Sequence, residues 1–485
     1  MPIGPKRLVL ALLAVVSTAA TARAQVPTPT IDGPIGSPGS AFVQSTAIDL
    51  SQVGYLSEEY FLSGTASAYT NVGPLGSDGL WTVTPGATAP YKTRIVVYRP
   101  AKPKKFNGTV IVEWLNVSGG LDAAPDWTLA HVELIREGYA WVGVSAQFVG
   151  VEGGGGIVNV ISLPLKEVNP ARYGTLSHPG DSFSYDMFSQ AGQAARSPSG
   201  PLRDLKIKKV IAIGESQSAF RMVTYVNGIH PIANVYDGYF VHSRGAFGAA
   251  LSEAPQPVIG VPGDAEIRAD IDVPVLTLET ETDLTFLAYF GARQEDAKNF
   301  RLWEAAGTAH ADSYLLVTGS TDLGTQSSIV DIVAPSSPFP GIIDCNSPIN
   351  SGPQTFVVRA AIAALNKWVR KGKAPKSAPL LEVSAGPPVA IVRDANGNGL
   401  GGIRTPQVDV PIAAFTGEQD GSLLCRLFGT TTVFSDAQLA ALYPTHKEFV
   451  SAYKKAVRRS LKAGWILKPD AKLMKAWAEG SNVGS

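Results

Sequence analysis

Three kinds of side chain in this sequence could carry out chemistry together: a serine, a histidine and one of two carboxylic acids. Ser216 lies in the stretch Gly214-Glu215-Ser216-Gln217-Ser218, directly after the apolar run Val210–Ile213. An apolar run, a tight turn and an amphipathic stretch predict strand, turn and helix, which raises the serine hydroxyl above the edge of a sheet. Such a serine attacks a carbonyl carbon once a base removes its proton. Ser218 departs from the pattern G-x-S-x-G, but the position requires a small residue rather than glycine itself.

The candidate base and acid come later in the chain, each at the predicted end of a strand. His310 follows the predicted strand 300–305 within a Gly-Thr-Ala turn. An earlier apolar run, 273–278, ends in three acids, of which Asp283 and Glu281 are the candidates, with Asp283 preferred. An imidazole can take the serine proton when a carboxylate fixes its tautomer and stabilises its charged form. The order serine, acid, histidine is the one that a nucleophile of this turn type requires.

A glycine-rich loop ahead of the serine is the predicted binding site for a developing oxyanion. The run Asn116-Val117-Ser118-Gly119-Gly120 follows a buried strand predicted over 109–115. Backbone N–H groups in such a loop can approach a ligand closely, and the N–H after the nucleophile supplies a second donor. Asn116 and Val117 are therefore the candidates for the first donor, and Gln217 for the second. The alternative is a glycine-rich turn that binds nothing.

The elements that must position these residues alternate between strand and helix. Strands are predicted over 60–69, 91–98, 109–115, 139–145, 210–213, 234–242, 273–278 and 300–305, and helices over 127–137, 181–196 and 355–371. Alternation of this kind predicts an α/β fold with a mostly parallel central sheet flanked by helices. After residue 372 the pattern changes to short strands, 380–383 and 389–393, and then to helices over 434–462 and 471–478.

With these motifs the chain resembles an α/β hydrolase, and more narrowly the microbial proteins described as alpha/beta hydrolase domain-containing. The resemblance rests on the serine turn, the glycine loop from Glu113 to Gly120 and the closing run Gly307–Asp312. Ser177–Ser182 and Gly401–Pro406 also match that group. The resemblance covers most of the chain after the leader. It implies an esterase-like site of serine, acid and histidine, without naming a substrate.

The amino terminus is typical of an export signal. Lys6 and Arg7 precede the apolar run LVLALLAVV, and Ala22-Arg23-Ala24 ends a stretch of small residues. This layout predicts a secretory signal peptide over 1–24, because the apolar run is too short to span a bilayer.

After the signal peptide we expect a catalytic domain over 25–372 and a C-terminal extension over 373–485, which could act as a lid or cap.

Charge and cysteine usage narrow the function further. The 41 basic residues balance the 41 acidic ones, so no electrostatic argument favours nucleic acid as a partner. The only two cysteines, Cys345 and Cys425, are expected to pair as a disulfide in an exported protein. His178 precedes the serine, outside the expected order, and is interpreted as structural or as a pocket-rim residue. His446 is interpreted as a surface residue.

Together these features predict an exported serine hydrolase, secreted or periplasmic, that cleaves carboxylic esters through an acyl-enzyme. The substrate would be a small-molecule or polymeric ester, and the chemistry requires no metal or organic cofactor. Beyond the leader, no stretch is long and apolar enough to predict a stable membrane span. Two alternatives stay open: acyl transfer to an acceptor other than water with the same residues, and a catalytically inactive scaffold that serves as a binding protein.

Overall fold

The structure, a computed structural model, describes Met1 and residues 26–158, 161–324, 332–384 and 386–485. Apart from Met1, the predicted signal peptide over 1–24 lies outside the described residues. No helix within the described ranges is long and apolar enough to cross a membrane.

In the part of the chain that the structure describes, nine strands form one large sheet in the order β1-β2-β3-β5-β4-β6-β7-β8-β9. β10 and β11 form a separate antiparallel pair. The strands are β1 (Thr30–Asp32), β2 (Tyr55–Asn71), β3 (Val83–Pro100), β4 (Thr109–Trp114), β5 (Ala140–Val144), β6 (Lys209–Glu215), β7 (Gly238–His242), β8 (Val275–Glu279), β9 (Phe300–Glu304), β10 (Ala413–Thr416) and β11 (Thr430–Val433).

The helices fall between these strands and continue beyond them. They are α1 (Pro125–Arg136), α2 (Phe148–Glu152), α3 (Leu165–Val168), α4 (Pro170–Tyr173), α5 (Ser184–Arg196), α6 (Gln217–Thr224), α7 (His230–Ala233), α8 (Glu281–Thr285), α9 (Gln354–Lys371), α10 (Pro406–Asp409), α11 (Leu423–Phe428), α12 (Asp436–Leu442), α13 (His446–Ala463) and α14 (Lys468–Gly480). A π-helical turn, Tyr225–Ile229, joins α6 to α7.

The sheet is parallel from β5 through β9, and β1, β2 and β3 form its antiparallel side. This architecture confirms the predicted α/β fold with a mostly parallel sheet flanked by helices. Because parallel strands end at the same edge, the loops after β4, β6, β7, β8 and β9 meet there. The predicted serine, histidine, acids and oxyanion donors lie at these strand ends, in the loops after them or in the first turn of the helix that follows.

Side chains alternate across the strands and bury both faces of the sheet. Trp127 of α1 and Val358 of α9 pack with Ile111 and Ile213 on one face. Phe188 of α5 and Met222 of α6 belong to the core on the other face. Continuous apolar strands are expected where helices cover both faces of a parallel sheet. The strand ends are thereby held between two helical layers.

The C-terminal extension differs from its prediction in two places. The strands predicted over 380–383 and 389–393 are isolated bridges, such as Leu381 to Gly401 and Val383 to Ile391. The helix predicted over 434–462 is divided into α12 and α13. Pro444 lies between them, and it disfavours helical geometry in the residue before it. Ser435 and Thr445 then cap the two helices with their side chains.

A disulfide joins Cys345, in the segment between β9 and α9, to Cys425 in α11. The pairing is the one that the sequence predicts. The disulfide ties the segment after His310 to the C-terminal extension. A hydrogen bond from Ala311 N to Leu427 O at 3.2 Å joins the same two regions. The part of the chain after α9 therefore contacts the loop that carries the candidate base.

Candidate active site

The turn between β6 and α6 holds Ser216 in a backbone conformation that few residues adopt. Ser216 has φ 57° and ψ −120°, and its N–H donates to His242 O at 2.9 Å. Positive φ in a non-glycine residue is costly and is typical of functional turns. A Cβ on Gly214 would lie 3.0 Å from Ser218 O, so only glycine fits without displacement. Ser218 itself is fully buried, which agrees with the requirement for a small residue there.

His310 reaches Ser216 from the loop after β9. The His310 Nε2 atom lies 2.7 Å from Ser216 Oγ. Gly307 has φ +72°, which turns the chain out of the strand, and His310 N donates to Thr282 Oγ1 at 3.2 Å. The backbone of the histidine loop is thus fastened to the acid loop. This arrangement aims the imidazole at the serine hydroxyl.

Asp283 contacts the other side of the same imidazole. Its Oδ1 lies 2.7 Å from His310 Nδ1, while its Oδ2 accepts from Thr280 N and Thr280 Oγ1, both at 2.7 Å. Asp283 is fully buried. With both oxygens fixed, the carboxylate selects the imidazole tautomer that carries its proton on Nδ1. Nε2 is then free to accept the Ser216 proton.

Glu281, the other candidate acid, points elsewhere. Its Oε1 accepts from Gly307 N at 2.7 Å, and its Oε2 accepts from Gly417 N and Arg393 Nη1, both at 3.0 Å. β8 ends at Glu279 and α8 begins at Glu281, so both candidate acids lie on a short helix. Two residues apart on a helix, side chains do not face the same direction. Glu281 therefore braces the loops, and Asp283 alone of the two contacts the histidine.

The pKa of His310 reflects its partners. Burial by itself lowers the pKa of this imidazole, but the negative charge and hydrogen bond of Asp283, together with the charge of Glu215, outweigh burial and raise it above 6.5. The charged imidazolium is thus stabilised in the site. That is the form that a base adopts after it takes a proton.

The loop after β4 brings a backbone donor to the serine turn. Val117 N lies 3.3 Å from Gln217 Oε1, so this N–H points toward the start of α6. Gln217 is the first residue of α6, and the first N–H groups of a helix have no acceptor within the helix. Asn116 N is already engaged with Ala123 O at 2.9 Å. Of the three predicted donors, Val117 N faces the serine turn and Gln217 N lies at the start of α6, whereas Asn116 N already has a backbone acceptor.

Two acidic residues and one histidine at the site escaped the sequence interpretation. Glu215 Oε1 lies 3.6 Å from His310 Nε2, and His242 Nδ1 lies 2.8 Å from Asp126 Oδ1. Glu215 stands inside the serine motif, and the sequence alone shows an acid next to the candidate nucleophile. His242 and Asp126 lie 116 positions apart in the sequence, and no local pattern joins them.

The remaining histidine predictions concern residues that lie away from the serine. His178 is buried, and its Nε2 lies 2.9 Å from Ala146 O. His446 lies at the start of α13, where its Nδ1 is 2.9 Å from Val483 O. Within the described ranges, no three side chains of His, Cys, Asp or Glu form a group that could hold a metal ion.

Comparison with known proteins agrees with the fold. Residues 24–476 match the family model described as an alpha/beta hydrolase domain, and the chain therefore belongs to that family. The resemblance stated from sequence is confirmed, and membership supports a hydrolase. No curated protein matches the chain.

Solved structures with some similarity include hydrolases of several organisms. A fungal esterase from Rhizomucor miehei is 11% identical, with 67% of this chain and 93% of that chain covered and a TM-score of 0.31. A serine hydrolase without a lid from Xanthomonas campestris is 12% identical, with 50% and 86% covered and a TM-score of 0.28. A glucuronoyl esterase from Solibacter usitatus is 12% identical, with 52% and 76% covered and a TM-score of 0.27.

Proposed function

We propose that this protein is an exported serine hydrolase that cleaves carboxylic esters through an acyl-enzyme. The observation that carries the proposal is the continuous chain from Ser216 Oγ through His310 to Asp283, with both hydrogen-bonded distances at 2.7 Å. Nucleophile, base and orienting acid within hydrogen-bond reach are the signature of nucleophilic acyl transfer.

In the acylation step, Ser216 Oγ bonds to the carbonyl carbon of the ester as its proton moves to His310 Nε2. Asp283 stays ionised and stabilises the imidazolium that forms. The tetrahedral intermediate then collapses: the bond from carbon to the alkoxy oxygen breaks, and His310 returns the proton to that oxygen. The alcohol leaves, and the acyl group stays on Ser216 as an ester.

Deacylation repeats these steps with water. His310 takes a proton from the water molecule while its oxygen bonds to the acyl carbon. The second tetrahedral intermediate releases Ser216 Oγ, which recovers its proton from His310. The products are a carboxylic acid and free enzyme, so the balance requires only water as co-reactant.

The negative charge on the carbonyl oxygen would be held by the N–H groups of Val117 and Gln217. Preorganised backbone donors of this kind supply much of the stabilisation in acyl transfer. In the free protein, Gln217 Oε1 accepts from Val117 N at 3.3 Å. A substrate oxygen would replace that side-chain oxygen, so the Gln217 side chain must turn away when the ester binds.

The proposed export rests on the signal-like sequence over 1–24 and on the disulfide between Cys345 and Cys425. Disulfides persist in oxidising compartments such as the periplasm or the extracellular space. We also propose that residues 25–372 form the catalytic domain. The extension over 373–485 would support it, since Arg393 and Gly417 bind Glu281 within the acid loop.

A panel of esters with varied acyl and alcohol groups tests the activity and finds its substrate range. The expected result is release of acid and alcohol in equal amounts, with no hydrolysis by the Ser216→Ala variant. Adding a second alcohol separates hydrolysis from acyl transfer: a dominant new ester would favour a transferase. If no ester in the panel is cleaved although the protein is folded, the inactive scaffold becomes the better interpretation.

A further inference from the structure

Glu215, the residue before the nucleophile, occupies a position between the base and the oxyanion loop. It is the last residue of β6 and is 4% exposed. Its Oε1 lies 3.6 Å from His310 Nε2, the same nitrogen that faces Ser216 Oγ. A carboxylate there is adjacent to the nitrogen that receives the serine proton during acylation.

The second oxygen of Glu215 contacts the loop that carries Val117. Asn116 Nδ2 donates to Glu215 Oε2 at 3.2 Å and to Glu215 O at 3.2 Å. The other end of the same amide, Asn116 Oδ1, accepts from Ser118 N at 2.8 Å. Asn116 and Ser118 flank Val117 in the chain. Glu215 therefore fixes the loop from which the oxyanion donor projects.

Several charged groups face Glu215 from the surrounding elements. His242 of β7 is its register partner, and Asp126 of α1 pairs with that histidine. Burial raises the pKa of Glu215 to about 7, the positive forms of His310 and His242 oppose this, and the charges of Asp126 and Asp283 reinforce it. Glu215 thus shares one buried electrostatic cluster with the base.

We propose that Glu215 is a positioning residue for His310. Its carboxylate stabilises the His310 imidazolium from the Nε2 side and anchors the oxyanion loop through Asn116. The proposal rests on the proposed esterase function and deepens it. Asp283 holds the Nδ1 proton, and Glu215 faces the proton that arrives at Nε2. The positive charge that develops on His310 during acylation is therefore stabilised by a carboxylate on each side of the imidazole ring.

The test is a titration of the His310 imidazole by NMR in the full mature chain labelled with ¹⁵N-histidine. The His310 signal is identified by its loss in a His310→Gln variant. Glu215→Gln keeps the size and an acceptor oxygen but removes the charge. We expect the pKa of His310 to fall by about one unit in this variant, because an opposite charge within a few ångströms favours the charged form. An unchanged His310 pKa overturns the proposal.

Asn116→Ala is the matched variant, because it removes the loop anchor and leaves the Glu215 charge in place. It should leave the pKa of His310 unmoved, and a shift as large as that of Glu215→Gln contradicts the assigned role. The His446 signal, from α13, reports on folding in every variant.

Reaction of Ser216 with a fluorophosphonate is measured on the same samples. At a pH high enough that His310 is neutral in both proteins, Glu215→Gln should react more slowly by up to about tenfold, since one pKa unit of lost imidazolium stabilisation corresponds to that factor. If the wild-type protein does not react while the His310 pKa still falls in Glu215→Gln, the esterase function fails and the electrostatic role of Glu215 stands. The two proposals therefore fail separately.

Discussion

Two histidine–aspartate pairs lie at the same edge of the sheet, and they have nearly the same geometry. His310 Nδ1 lies 2.7 Å from Asp283 Oδ1, and His242 Nδ1 lies 2.8 Å from Asp126 Oδ1. The two pairs differ in the group that the second ring nitrogen of the histidine, Nε2, contacts. His310 Nε2 faces the hydroxyl of Ser216, whereas His242 Nε2 lies 3.4 Å from Nε2 of Gln354, the first residue of α9.

The two pairs show that a buried histidine–aspartate contact occurs both beside a serine hydroxyl and away from one. The His242 pair is completely buried, and the backbone oxygen of His242 accepts a hydrogen bond from Ser216 N. Burial lowers the pKa of His242, but the hydrogen bond and charge of Asp126 outweigh burial and raise it. Under the proposed mechanism the His310 pair moves a proton, whereas the His242 pair joins β7 to α1.

The largest expected effect separates the two aspartates by rate. Asp283→Asn should reduce kcat/KM by about 10⁴-fold, because an amide stabilises the wrong imidazole tautomer. Asp126→Asn should reduce it by about tenfold or less, since a residue outside the reacting chain acts only through packing and the field. Ester hydrolysis at neutral pH measures both. Equal losses in the two variants would contradict the assignment of the pairs.

A smaller effect separates Asp283 from Glu281, the acid two residues away in sequence. Glu281→Gln should lower the free energy of unfolding by about 2 kcal/mol, since hydrogen bonds of buried charged groups contribute about that much. Its kcat/KM should stay within about tenfold of wild type, because its carboxylate touches Gly307, Gly417 and Arg393 rather than His310. Chemical denaturation and steady-state rates check the two parts. A rate loss as large as that of Asp283→Asn would identify Glu281 as the orienting acid instead.

The smallest expected effect is a shift in pH dependence. His310 must be neutral to accept the serine proton, and its pKa is raised above 6.5 by Asp283 and Glu215 against the effect of burial. Activity should therefore fall as the pH drops through a value above 6.5, and kcat/KM measured between pH 5 and 9 checks this. A Glu215→Gln profile should have its acid limb at lower pH. An acid limb below 6.5 in the wild-type protein would mean that the Asp283 contact does not govern the base.

Much of the sheet could be predicted from sequence because strands such as β4 and β6 are short, apolar and bounded by clear turns. Parallel strands end at the same edge of a sheet, so the placement of Ser216 after β6 and His310 after β9 at one edge could also be predicted. The choice of acid could not be settled in this way. It depends on where β8 stops, and a boundary error of one or two residues rotates Glu281 and Asp283 relative to each other.

Other parts of the site depend on contacts that no local pattern encodes. The engagement of Asn116 N with Ala123 O is a matter of loop register, and it leaves Val117 N as the donor that faces the serine turn. The pairing of His242 with Asp126 forms only when β7 is placed beside β6 under α1. Glu215 was visible in the motif, but its role depends on how closely His310 approaches it. Long-range packing, rather than composition, decides these cases.

The most direct test of the central claim is labelling of the folded protein with a fluorophosphonate, followed by peptide mass spectrometry. A single modification on the peptide that contains Ser216 is expected for wild type, and none for Ser216→Ala. His310→Gln should label slowly, because the serine then lacks its base. Absence of labelling in folded wild-type protein, or equal labelling of Ser216→Ala, would contradict the assignment of Ser216 as the nucleophile.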